Sequence, residues 1–282
     1  MKLTILSRAL PLAALAATAG MATSAQAVVV STWSYTVDSV FTASSFSGGL
    51  GAGARIDHTD GDGRLLQWGA PSPISGNGQQ SSIGVVLPSP VAGTIDTNGD
   101  FEAANDYFHN NNVLRTGSDQ LETATISISI NLTPLVPAGG PADPIATTFD
   151  IQFFETANNG GADGLCEDGT ASGVGQHANG CRDIFVVEFS DGAFDFVYDG
   201  EEYTLFLFED PLSAGFPKFG PLAAGECAAA GVAAGCFGFT TAEKELNIAE
   251  FVIQIERVPE PAMLGLFGLG LIGLGAMRRR KA

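Results

Sequence analysis

The chain has 282 residues, with 31 acidic against 13 basic side chains and a formal charge of −18. Residues 28–257 carry all the acids except Glu260 but only seven cations, Arg55, Arg64, Arg115, Arg182, Lys218, Lys244 and Arg257, so this stretch stands at −23. That balance excludes nucleic acid as a partner, because phosphate binding draws on clustered Lys and Arg.

The first elements lie at the N-terminus. Lys2 and Arg8 precede an uncharged run from Ala9 to Ala22, and Ala25-Gln26-Ala27 sets small residues where a signal peptidase cuts. This predicts a signal peptide over 1–27, since the run is shorter than the ~20 residues of a stable spanning helix. The exported domain is then 28–257, long enough for one large all-β domain.

Strand signals follow from end to end. Trp33 to Phe41 alternates loosely, and Leu65 to Trp68 and Ile83 to Leu87 are short apolar runs. Thr123 to Ile130 alternates strictly, placing Ile126, Ile128 and Ile130 on one face and hydroxyls on the other, as a half-buried strand requires. Further runs are Thr147 to Phe154, Asp183 to Phe189, Phe194 to Tyr198, Tyr203 to Phe208 and Ile248 to Ile255, with Asp199-Gly200 as the best hairpin turn. About nine or ten short strands with polar turns predict a two-sheet β-sandwich of jelly-roll type.

Two Gly/Ala-rich excursions, 157–182 and 212–236, interrupt the strands, and the four cysteines lie within them. An even count in an oxidising compartment predicts disulfides rather than zinc. Of three connectivities the sequence-local one is expected, Cys166 with Cys181 and Cys227 with Cys236. Each bridge would constrain the unfolded chain by roughly 3 kcal/mol.

The C-terminal region, 258–282, reads Val258-Pro259-Glu260-Pro261, an uncharged stretch from Ala262 to Met277, then Arg278-Arg279-Arg280-Lys281. At ~1.5 Å per residue the apolar stretch rises about 24 Å, the short limit for a single transmembrane helix over 262–277. The glycines in it would weaken a buried core helix by ~1 kcal/mol each. The cationic end stays cytoplasmic by the positive-inside rule, which leaves the domain outside, on the periplasmic face of the inner membrane.

No catalytic residue, metal or cofactor is predicted. Asp96-Thr97-Asn98-Gly99-Asp100 opens like a calcium loop, but Phe101 and Tyr107 stand where glycine and glutamate belong. Asp57 to Gly63 is similarly incomplete, and both read as plain turns. Ser81-Ser82 lacks a nucleophile elbow, and His58, His109 and His177 have no sequence-local partners. With so many acids some pair meets glycosidase spacing by chance. His109-Asn110-Asn111-Asn112, rich in donors and acceptors, reads as a loop or strand end that satisfies backbone groups.

The tail resembles the PEP-CTERM sorting signal, whose Pro-Glu-Pro motif, short hydrophobic segment and terminal arginine cluster stand here in order. The resemblance implies processing near the motif by exosortase, a membrane transpeptidase-like enzyme of Gram-negative bacteria that make exopolysaccharide. It implies a protein exported to the surface of a biofilm-forming cell, with Val258, Pro259, Glu260, Pro261, Arg278, Arg279 and Arg280 as its processing residues. The domain resembles the PEP-CTERM proteins of the Thr-His-x-Asn type through Gln67-Trp68-Gly69, Gln80 to Ile83, His109 to Asn112, Phe154 to Asn158, Cys181 to Phe185 and Cys236 to Glu243. Phe108 stands where that pattern has threonine, so a role needing the hydroxyl does not carry over. The resemblance implies no activity for His109, Asn110 or Asn111.

The leading expectation is a non-enzymatic surface or matrix protein associated with exopolysaccharide. The alternative is a carbohydrate-binding module that uses exposed Trp33, Trp68 or Tyr residues as stacking platforms, and a secreted hydrolase comes third.

Overall fold

Period-two alternation of apolar and polar residues runs through most of the domain, and the chain forms strands wherever it occurs. The computed structural model describes residues 28–73, 78–188, 192–213 and 218–258. The predicted signal peptide, the residues from Pro259 onward and the expected span 262–277 lie outside them. The strands are β1 (Thr32–Phe46), β2 (Leu65–Trp68), β3 (Ser81–Val85), β4 (Val91–Asp96), β5 (Glu102–Ala103), β6 (Tyr107–Asn110), β7 (Leu121–Val136) and β8 (Ile145–Phe154). They continue with β9 (Asp183–Glu188), β10 (Ala193–Tyr198), β11 (Glu201–Glu209), β12 (Gly220–Pro221), β13 (Phe237–Thr241), β14 (Leu246–Ala249) and β15 (Phe251–Arg257). One short helix, α1 (Ala224–Ala229), lies in the second excursion. The fold is all-β. Among the described residues no helix is long and apolar enough to cross a membrane.

A seven-stranded sheet in the order β12-β13-β9-β8-β7-β1-β4 forms one layer. In β7 the expected alternation holds: Ile126, Ile128 and Ile130 are buried, each contributing roughly 1.5–3 kcal/mol by leaving water. The expectation of two sheets is corrected. The facing strands form two ladders, β10-β11-β15-β5 and β14-β6-β3-β2, and so three sheets among the described residues. The chain itself explains the split. β14 leads into β15 and β5 into β6, so two chain segments run through both ladders. The break falls where the Asp106 carboxylate accepts the Phe251 N–H at 3.3 Å, a side chain standing in for a backbone partner.

Rings close the space between the layers. Trp33 of β1 meets Tyr203 of β11 edge-on at 5.2 Å, and Trp68 of β2 meets Phe153 of β8 at 5.2 Å. Residues of all three sheets share one buried core. The hairpin turn forms as its residues dictate: Asp199 and Gly200 both have positive φ, 49° and 84°, the pair that a two-residue type I′ turn needs. β10 and β11 pair across it from Tyr198 with Glu201 to Ala193 with Phe206.

Candidate functional site

The polar residues that stand out are those at one end of the large sheet. Glu155 directly follows β8, Asp183 opens β9, and Glu243 lies two residues beyond β13. Because these strands are antiparallel neighbours, with Phe154 opposite Ile184 and Asp183 opposite Thr241, three carboxylates from distant parts of the sequence arrive at one rim. An oxygen of each lies within 4.8 Å of the others; Asp183 and Glu243 are buried and Glu155 is partly exposed.

The surroundings hold the group in place. Thr156 donates to Asp183 Oδ1 from its backbone N–H at 2.8 Å and from its hydroxyl at 3.2 Å. The Trp68 indole N–H reaches Glu155 Oε2 at 3.4 Å. From the facing layer, Asn111 directly follows β6. Its side chain borders both Asp183 and Glu243 and eases the charge on each, while its Nδ2 lies 3.4 Å from the Thr241 carbonyl. Asn158 lies against Glu243; with its amide nitrogen turned inward it donates to Oε1 at 2.7 Å and Oε2 at 3.1 Å.

Burial, and then mutual repulsion, hold the Glu155 and Glu243 carboxyls well above the ordinary carboxylate range, and burial does the same to Asp183. Among the described residues no Lys or Arg forms an ion pair with any of the three. Left to itself, the cluster keeps protons at neutral pH.

His109, near the end of β6, forms a wall of this region. Its ring stacks on Trp68 at 5.8 Å and meets Phe153 and Phe185 edge-on. Nδ1 is 2.8 Å from the Thr241 hydroxyl, and burial pulls its pKa down to about 3, so the ring is neutral. Asn110 pairs with Leu246 and Ser82 across the short-strand sheet. Phe108, the departure from the Thr-His-x-Asn pattern, lies opposite Gly84, where its ring fills the space that a Cβ would take, 2.5 Å away. Alternation turns it away from His109 and the acids.

The two disulfides are the expected ones, Cys166–Cys181 and Cys227–Cys236. The first ties Cys181 two residues before Asp183. The two loops weighed as calcium sites have their leading carboxylates engaged: Asp57 Oδ1 accepts from the Thr59 N–H and hydroxyl, and Asp96 Oδ1 from the Thr32 hydroxyl on β1. The expected exposed tryptophan platforms are overturned. Trp33 and Trp68 are both fully buried, as is Tyr203, because each ring fills the gap between layers. Sequence reading missed Glu155, Asp183 and Glu243 as a group, although each stands in one of the segments that carry the family resemblance.

Of the processing residues, Val258 is described; its N–H donates to the Glu202 carbonyl at 2.9 Å. Pro259, Glu260, Pro261 and Arg278 to Arg280 lie outside the described residues. Their sequence nevertheless decides the matter, since residues 257–281 match the PEP-CTERM protein-sorting motif. The chain carries a PEP-CTERM sorting signal. It is therefore a protein for export, with a membrane-anchored sorting signal that exosortase processes. No curated protein matches the chain.

Proposed function

We propose that the PEP-CTERM protein serves outside the cell as a non-enzymatic surface or matrix component of the Thr-His-x-Asn type, associated with exopolysaccharide in a biofilm. The observation that carries this reading is the sorting motif at 257–281. Two disulfides that clamp the long excursions, and a charge that keeps the domain soluble, support a life in an oxidising exterior. On this reading signal peptidase cuts after Ala27, the all-β domain folds in the periplasm, and residues 262–277 span the inner membrane until exosortase acts. Fractionation of a host with and without its exosortase tests it. The processed domain should reach the extracellular material only when the enzyme is present, and E260A should slow processing but leave insertion intact. Extracellular protein that still carries Arg280 would sink the reading.

One feature favours a second reading, a carbohydrate-binding module. An open hollow is lined by Gln67, Gln80, Ser82 and Asn110 beside Gly69 and Pro71, and such amides and hydroxyls suit sugar hydroxyls. A glycan array on the protein, with Gln67→Ala and Asn110→Ala as controls, separates the two. Retention of a glycan that both substitutions abolish establishes the module.

A further inference from the structure

We propose that Glu155, Asp183 and Glu243, together with the Asn111 side chain, form a binding site for a hard divalent cation, calcium foremost. The geometry comes first. Oxygens bound to one calcium ion lie 2.3–2.6 Å from it and so up to about 5 Å from each other. Carboxylate oxygens of all three residues fall within 4.8 Å of one another, so one ion reaches all of them without moving a strand. The donors are all oxygen, which selects a hard cation over zinc or copper. An irregular set drawn from three strand ends suits the loose coordination of calcium better than the strict octahedron of magnesium.

Unsatisfied atoms supply a second and independent reason. Asn111 is fully buried, its amide lies against Asp183 and Glu243 as a donor, and its Oδ1 has no hydrogen-bond partner; a half-turn of the amide would present that oxygen to the ion. Asp183 Oδ2 is equally orphaned and buried. Buried acceptors without partners are rare in folded proteins, and an ion among them would satisfy both at once. The Asn158 amide at Glu243 offers a further oxygen when it is rotated. The loops at Asp57 and Asp96 give the contrast, since their carboxylates already accept hydrogen bonds, Asp57 from Thr59 of its own turn and Asp96 from Thr32 across the strand pair.

The consequence of occupancy is local. Glu155 and Asp183 stand on either side of the 157–182 excursion, so the ion would close its mouth beside the Cys166–Cys181 bridge.

Terbium, a luminescent stand-in for calcium, tests the proposal on the full chain, purified in detergent after chelation. Because the Trp68 indole N–H is 3.4 Å from Glu155, terbium in the site should emit when tryptophan is excited, and calcium should quench that emission. Calcium at a hundred times its dissociation constant should raise the Tm by about 5 to 10 °C. D183N and E243Q should each remove both effects, whereas D57N and D96N should remove neither. W68F should lose the emission yet keep the calcium-dependent rise in Tm, a split that general destabilisation cannot produce. Should D183N and E243Q fail to fold, the wild-type and W68F measurements decide alone. Absence of both emission and a Tm shift at about 10 mM calcium, well above the dissociation constants of extracellular modules, overturns the site. Emission that survives D183N and E243Q but vanishes in D57N or D96N overturns it in favour of a surface loop.

Discussion

Two tryptophans, both fully buried, anchor two different parts of the core between the layers. Trp33 sits among Phe196, Tyr198 and Tyr203, and its indole N–H donates to the Thr97 hydroxyl at 3.0 Å, which donates in turn to the Val30 carbonyl at 2.7 Å. Every polar atom of that chain has a partner. Trp68 sits against a histidine and a phenylalanine, points its N–H at a carboxylate, and has three orphans nearby: His109 Nε2, Asn111 Oδ1 and Asp183 Oδ2. The same residue type in the same layer gap thus serves two designs. A satisfied region stores stability, while one left short of partners is organised for something it does not itself contain.

The largest effect should come from the satisfied region. Trp33→Ala removes a ring wedged against three others and should cost about 3–5 kcal/mol in denaturant unfolding, with no dependence on added calcium. A loss that calcium partly restores would erase the contrast between the regions.

Next is the bridge beside the orphaned region. Replacing Cys166 and Cys181 together by serine should lower stability by about 3 kcal/mol and weaken calcium binding, because Cys181 fixes the approach to Asp183. The matching change at Cys227 and Cys236 should lower stability similarly and leave calcium binding alone.

A smaller effect follows from charge. The Asp183 and Glu243 carboxyls are raised in the folded protein, whereas in the unfolded chain they ionise near pH 4. Above that point the folded state holds protons that the unfolded state has released, so stability falls as pH rises. The cation-free protein should therefore be less stable at pH 8.5 than at pH 7, by roughly 1.5 kcal/mol after allowance for relaxation. His109 is silent in this window, because burial keeps the folded ring neutral and the unfolded histidine has also released its proton by about pH 7; below about pH 6.5 the unfolded chain takes that proton up and the effect is opposed. Equal stability at the two values would mean that the acids are fully ionised and paired some other way.

The smallest is Thr97→Val, which removes one hydrogen bond to Trp33 and should cost about 1 kcal/mol, measured by thermal unfolding at a single pH.

The strand framework and its bridges were far more legible in the sequence than the acidic site. Alternation in Thr123 to Ile130, the Asp199-Gly200 turn and the cysteine pairing are local signals, each carried by neighbours along the chain, and each appears in the structure. The acidic site has no such signal. Glu155, Asp183 and Glu243 become neighbours only through strand register, and contiguous loops such as Asp96 to Asp100 drew attention because their oxygens alternate within a few residues. The tryptophans misled for a related reason: composition does not say whether a ring faces water or the opposing layer. The split of the second layer turns on one side chain, Asp106, taking over a backbone bond. Helix α1 was invisible as well, being one short turn whose Glu226 caps its own start at the Ala223 N–H, 2.7 Å away.

The last strand bears on how the domain is presented before processing. β15 is an interior strand, paired with β11 on one side and β5 on the other, and the sorting motif begins at Arg257, the strand's final residue. Residues 258–261, even fully extended, cover at most ~3.6 Å each, or roughly 14 Å. On the proposal that residues 262–277 span the membrane, the precursor would have almost no leash, and the Arg257 end of β15 would be the part of the domain nearest the bilayer. A processing enzyme would then have to fit its active site into a narrow gap, and its cut would give the domain its first freedom to rotate.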